Sequence, residues 1–212
     1  MNQSRDSIIL LGGGGHAKVL IDLILRGELF QVYGILDPDL EVGQNVKGIK
    51  VLGTDVALKA VREQGVHHAA VAVGSVQSIQ LRKKLFNQCR ELEFQQPALV
   101  HPQALLASNV MLSEGTQIMA GAIIQTDTKI GEGVVVNTGS RIDHDCQIGK
   151  HAFLAPGVIL CGNVFVGENA FLGAGAVVIQ GVKIGENAVI AAGAVVTRDV
   201  RDGALVKGVP AK

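Results

Sequence analysis

The chain has 212 residues, 48% of them hydrophobic but only 3% aromatic, so one large domain or two small ones must pack on aliphatic and small side chains. Lys plus Arg equals Asp plus Glu at 19 each, which excludes a basic stripe for nucleic acid. No apolar run approaches the ~18 residues of a membrane span, and the polar start MNQSRDS does not read as a signal peptide.

The first half alternates strands and helices. Ile8–Leu11 reads as a buried strand, and Val19, Leu20, Leu23 and Ile24 then share one helical face that Gly27 ends. Val32–Leu36 is a second strand, closed by Asp37-Pro38-Asp39. Thr54 caps a helix running to Gln64, with Gly65 after it. Ala69–Val73 is a third strand ended by Gly74, a helix spans about Gln77–Arg90, and Phe94–Ala98 follows as a strand. This order implies a Rossmann-like α/β domain with a parallel sheet over residues 1–97, ligands falling at its carboxyl edge. Between the first strand and helix, Gly12, Gly14 and Ala17 fit G-x-G-x-x-A, and Asp37 lies 20 residues past Ala17. Two readings stand: a turn that packs helix on strand, or a helix N-terminus whose free N–H groups face a diphosphate. In the second reading His16 and Lys18 add donors and charge, and Asp37 accepts from a ribose or base. The unit is too small for a hydride-transfer fold.

From residue 98 to 212 a period of six takes over. Every sixth residue from Val100 to Val196 is aliphatic, and every sixth from Ala104 to Val200 is small. Such a period marks a hexapeptide parallel β-helix. Three hexads make a triangular coil, so the 17 hexads give a prism roughly 27 Å long at ~4.8 Å per coil. The aliphatic column fills the interior, the small column fits the corners, and Gly115, Gly121, Gly133, Gly139, Gly157, Gly175 and Gly193 recur at the turns. The crossover rule alone predicts a right-handed coil.

Among six histidines, His67 and His68 read as edge residues before a strand and His101 as structural. His144 sits between Asp143 and Asp145, near a corner and pointing outward. It is either an exposed polar turn or a base held near neutrality by its carboxylates. Cys146 falls in the small interior column and reads as core. Cys89, Cys146 and Cys161 lack metal-like spacing and read as free thiols of a cytoplasmic protein. Only His144 and His151 lie in the central hexads, too few for a three-histidine zinc site, so no metal is expected. A prism filled by its own aliphatic column leaves His144 without a pocket, which calls for neighbouring copies and a homotrimer.

GGGGHAKV at the start, LDPD after the second strand, hexads containing NTGSRIDHDCQIG and the final GVPAK together resemble the bacterial sugar acetyltransferases of the sialic-acid O-acetyltransferase and bacillosamine-type N-acetyltransferase group. The resemblance covers nearly the whole chain. It implies a left-handed β-helix over 98–212 that holds acetyl-CoA, and a front domain over 1–97 that holds a nucleotide-linked sugar through Gly12, Gly14, Gly15, His16, Lys18, Asp37 and Gly74. His144 becomes the general base, Asp145 its orienting acid, the Gly162 N–H a donor to the oxyanion, and Asn137 a group near the acceptor. Backbone groups at Ala174 and Ala192 and the terminal Gly208–Lys212 would meet coenzyme A, with no extension beyond Lys212 expected to close over it. The sequence departs from the group's pattern at Phe153, where a second His often stands, at Ser75-Val76-Gln77, and at Pro38. The leading expectation is an acetyl-CoA-dependent N-acetyltransferase of a nucleotide-linked amino sugar in cell-surface glycan biosynthesis. Sugar O-acetylation, a zinc hydratase and a non-enzymatic sugar-nucleotide sensor are the alternatives.

Overall fold

A computed structural model describes residues 5–74 and 79–212. The chain divides into two compact units, Met1–Pro97 and Ala98–Lys212.

In the first unit β1 (Ser7–Leu11) is a buried inner strand of the sheet, with β2 (Gln31–Leu36) parallel on one side. The G-x-G turn leads from β1 into α1 (Gly15–Arg26). That helix buries Ala17, Leu20, Ile21, Leu23 and Ile24, whereas Val19 is 42% exposed. The inward stripe is therefore 17-20-21-24, the i, i+3, i+4, i+7 set, and the expected place of Val19 in it is corrected. A hairpin that the sequence reading missed follows: β3 (Asn45–Val46) pairs antiparallel with β4 (Ile49–Gly53), which joins β2 in parallel. Its turn residues Lys47 and Gly48 have φ of 49° and 87°, and Gly48 N–H donates to Asn45 Oδ1 at 2.6 Å. The Asn-Gly or Asp-Gly pair that usually announces such a turn is absent.

Thr54 does act as a cap, accepting from Val56 N–H, but it caps a 3-10 turn over Asp55–Ala57 that leads into α2 (Leu58–Glu63). The expected third strand is β5 (His68–Val71), parallel to β1 on its other side; it ends two residues early because β1 itself ends at Leu11, after which Gly12 N–H turns to the Leu36 carbonyl and Gly13 N–H to Asp37, while beyond the strand the buried Arg82 guanidinium donates to the Val73 carbonyl. Burial pushes Arg82 down to about 10. Arg82 belongs to α3 (Ile79–Glu91). The expected start of that helix at Gln77, and the Ser75-Val76-Gln77 departure, lie outside the described residues. The expected strand Phe94–Ala98 reduces to a single bridge from Gln95 to His68, ahead of Pro97, which has no N–H to give. His68 is not before a strand but within one, its ring 4.9 Å from that of Phe30.

The second unit is a left-handed parallel β-helix. Its two-residue strands stack into three parallel sheets of seven, six and five strands, called faces 1, 2 and 3 in chain order. Face 1 starts with Leu99–Val100, face 2 with Leu105–Leu106 and face 3 with Met111–Leu112. Partners in each ladder are 18 residues apart, as in Arg141↔Ile159 and Ile142↔Leu160. The second residue of each strand points inward, so Ile118 through Val196 of the aliphatic column form the core, with Ala122 through Val200 of the small column beside them. Val100, Leu106 and Leu112 in the first coil are only partly buried. The period breaks after Val196: Val200 makes an isolated bridge to Ile184, and the next strand is Leu205–Val206.

A third column completes the coil. Every sixth residue from Asn109 to Gly193 has positive φ. Besides the turn glycines, the column contains Asn109, Asp127, Asp145, His151, Asn163, Asn169 and Asn187. Asn and Asp are the residues that best tolerate this conformation after glycine. The corners are thus specified by backbone strain as well as by interior size.

Candidate active site

His144 lies on the corner between faces 2 and 3, at residues 143–146. Its coil neighbours fix this corner from both sides. Asp145 N–H donates to the Thr126 carbonyl and Asn163 N–H to the His144 carbonyl at 2.8 Å. Inside, Cys146 is buried, donates from Sγ to the Cys161 carbonyl, and has its thiol pushed up to about 11 by burial. It is core, not a nucleophile, because the thiolate is the reactive form. Asp143 Oδ1 accepts from the His144 N–H at 2.8 Å. Asp145 Oδ2 stands 2.7 Å from His144 Nδ1.

A carboxylate only accepts, so this contact requires the proton on Nδ1 and leaves Nε2 of the neutral ring as a lone pair. The hydrogen bond that His144 donates to Asp145, with smaller help from the charges of Asp143 and Asp145, raises the His144 pKa above its ordinary value of 6.5. Both side chains stay more than half exposed, at 55% and 59%. The imidazole lies over Gly162, one coil further on. A Cβ at Gly162 would sit 2.6 Å from both Cε1 and Nε2. Among the described residues the Gly162 N–H has no protein acceptor.

The other expected β-helix residues fall elsewhere. Asn137, Ala174 and Ala192 share the corner between faces 1 and 2, where Asn137 Oδ1 accepts from Thr138 N–H at 2.8 Å and both alanines are exposed. The terminal turn joins that end of the coil: Val195 N–H donates to the Gly208 carbonyl, Ala211 N–H donates to the Val195 carbonyl, and Lys212 pairs with Lys207 through the main chain. The expected residues of one prism therefore fall into two groups, at opposite edges of face 2. His151 stands on the third corner and Phe153 on face 1, where its ring stacks 5.8 Å from that of Phe171. Neither is beside His144 in the same prism.

In the front unit the carboxyl ends of the strands open into a cleft of about 220 Å³ lined by Gly12, Gly14, Asp37 and Gly74, all expected, and by Asp39, Asp55, Leu81 and Leu85, which were not. Gly12 has φ of 109°, and a Cβ there would meet Val73 Cγ2 at 2.8 Å, so glycine is required for β1 to reach β5. Gly14 caps α1 without any side chain, no acid stands in the first turn, and Gly14 and Gly15 face open space. Asp37 serves the backbone: Oδ2 accepts from Gly13 N–H at 2.6 Å and Oδ1 from Asp39 N–H at 2.8 Å. His16 is half-buried, near Gly74, while Lys18 is exposed and outside the cleft lining. The missed Asp55 follows Thr54, whose helix-cap signal drew attention from its neighbour. No group of three or more His, Cys, Asp or Glu placed to hold a metal is found among the described residues.

An α/β unit with an open helix N-terminus, joined to a hexapeptide coil carrying an acid-supported histidine, defines a class of acyl-transferring enzyme. The model for the PglD N-terminal domain matches residues 7–89, and that for the bacterial transferase hexapeptide, six repeats, matches 127–162 and 163–198. The structure of PerB from Caulobacter crescentus with CoA and GDP-perosamine is 43% identical over 97% of this chain and 96% of that one, with a TM-score of 0.92. A histidine-to-alanine variant of GDP-perosamine N-acetyltransferase from the same organism gives 42%, 97%, 95% and 0.93. The acetyltransferase domain of PglB from Neisseria gonorrhoeae, with acetyl coenzyme A, is 31% identical over 99% of both chains, with a TM-score of 0.89. No curated protein matches the chain. The chain belongs to the bacterial sugar acetyltransferases that join a PglD-type N-terminal domain to hexapeptide repeats.

Proposed function

We propose that the protein transfers acetyl from acetyl-CoA to the amino group of a nucleotide-linked amino sugar. The observation that carries this reading is the His144 ring, tied at Nδ1 to Asp145 and laid with Nε2 over Gly162. Nε2 takes a proton from the sugar amine as its nitrogen attacks the thioester carbonyl. The oxyanion forms against the Gly162 N–H. Collapse expels the CoA thiolate, which takes the proton from His144, leaving the amide and free CoA. Asp145 holds the tautomer and stabilises the imidazolium. The relatives support both substrates, since they were solved with CoA or acetyl-CoA and with GDP-perosamine.

Nucleotide binding belongs to the front cleft. The first-turn N–H groups of α1 and its positive dipole end face Gly14 and Gly15, where a diphosphate finds donors without side-chain competition. Coenzyme A runs along the corner of Asn137, Ala174, Ala192 and the terminal Lys212, and Asn137 meets the acceptor from there.

A homotrimer completes the site. The two groups, read as half-sites, flank face 2, whose outward positions are Leu105, Ile123, Arg141, Ile159, Val177 and Val195. Packing face 2 against its copies about a three-fold axis buries the aliphatic members of this strip, Arg141 being its one charged side chain. It also brings the His144 corner of one prism to the Ala174 corner of the next. Both substrates are cytoplasmic metabolites, so the enzyme works there, supplying N-acetylated sugars for cell-surface polysaccharide. The test is CoA release from acetyl-CoA with a panel of nucleotide-linked amino sugars, and identification of the N-acetylated product. Binding of a sugar nucleotide without thioester cleavage for any of them refutes the assignment in favour of a sensor.

A further inference from the structure

The front cleft carries acceptor chemistry that a diphosphate does not explain. Its charged side chains, among the described residues, are all carboxylates: Asp37, Asp39 and Asp55. Carboxylates repel phosphates, so the phosphates belong at the glycine end, by the open N-terminus of α1. Asp37 is occupied by the Gly13 and Asp39 N–H groups. Asp55 is different. It opens the 3-10 turn capped by Thr54, and its side chain has no hydrogen-bond partner among the described residues. Its carbonyl accepts from Gln88 Nε2, which sets it against α3, and Leu81 and Leu85 of that helix line the same cleft. Two leucines for the face of a ring and one carboxylate for its edge make a slot for a nucleobase.

A carboxylate offers two acceptors side by side and no donor. Guanine answers with two adjacent donors, N1–H and the 2-amino group. Uracil and thymine present one N–H between two carbonyl oxygens, and adenine and cytosine set a ring lone pair beside their amino group. Resting on the assignment of this cleft to the nucleotide, we propose that Asp55 reads the Watson–Crick edge of guanine, so that the acceptor is a GDP-linked amino sugar. Two solved structures from Caulobacter crescentus, at 42% and 43% identity, hold GDP-perosamine, in line with this edge chemistry.

Calorimetry on the full chain with GDP, IDP, UDP and dTDP tests it. GDP should bind at least about tenfold more tightly than UDP or dTDP. IDP, which lacks only the 2-amino group, should bind roughly tenfold more weakly than GDP, the usual worth of one hydrogen bond to a charged group. Asp55→Asn replaces one acceptor by a donor and should abolish the preference for GDP over UDP, with thermal unfolding unchanged. Equal binding of GDP and UDP by the wild type overturns the proposal, as does equal binding of GDP and IDP, which needs no variant. A GDP preference that survives in Asp55→Asn also overturns it. These outcomes leave acetyl transfer and the cleft assignment intact. Failure of all four nucleotides to bind overturns the cleft assignment itself.

Discussion

Gly162→Ala isolates the geometry of the proposed base from its chemistry. A Cβ at this position falls 2.6 Å from Nε2 and Cε1 of His144 and 3.2 Å from Cδ2. Ordinary carbon contacts begin near 3.5 Å, so the ring must retreat by about 1 Å. The backbone does not object, because Gly162 is not among the positive-φ residues, and the three atoms nearest the added methyl all belong to the His144 ring. The half-exposed imidazole swings outward, away from the Gly162 N–H and towards solvent. A misplacement of about 1 Å at a reacting group costs on the order of 100-fold in rate. The expected result is a kcat lowered by about that factor, unfolding within a degree or two of wild type, and an unchanged oligomeric state. CoA release at saturating substrates, beside a thermal melt, measures both. A variant with wild-type kcat refutes the idea that Nε2 acts from its place over Gly162.

Four further outcomes follow from the same contacts. His144→Ala should lower kcat by roughly 10²–10⁴-fold with little change in acetyl-CoA affinity, measured by steady-state kinetics and calorimetry. Because the base must be neutral and its pKa is raised chiefly by the hydrogen bond it donates to Asp145, log kcat/KM should rise with pH to a plateau reached above 6.5; Asp145→Asn, which keeps a residue suited to φ of 59°, should move the midpoint down, and an unmoved midpoint rules out His144 as the titrating group. Asp37→Ala strips the Gly13 and Asp39 N–H groups of their acceptor, so chemical denaturation should show a loss of about 1–3 kcal/mol together with weaker nucleoside-diphosphate binding. Val177→Glu places a charge between Ile159 and Val195 on face 2 and should yield monomers without activity by light scattering and CoA release; an active trimer places the interface elsewhere.

The coil was legible because its physics is periodic. An interior position every six residues admits only aliphatic side chains, and one insertion would have moved the whole column out of register. The front sheet was less legible where local chemistry competed. Lys47-Gly48 turns the hairpin without the usual sequence pair, and Val73 leaves the strand because its partner β1 ends at Leu11, where Gly13 N–H turns to Asp37. The spread of site residues over two corners was legible in principle. Residues 18 apart stack on one corner, so 144 meets 162 while 174 meets 192, and no resemblance is needed to see that 137 lies with the second pair.

Gly162 shows how far that arithmetic reaches. The hexad position of His144 recurs from Pro102 to Arg198, and Gly162 is the only glycine in it. Its backbone needs no glycine for φ, and its neighbours in the column carry side chains as large as Glu168 and Gln180. The absent side chain instead leaves room for the ring one coil back. In a solenoid each column defines what an ordinary residue looks like at that position. A departure that neither packing nor backbone demands then marks the place where another group must fit, and here that group is the imidazole with its proton on the Asp145 side.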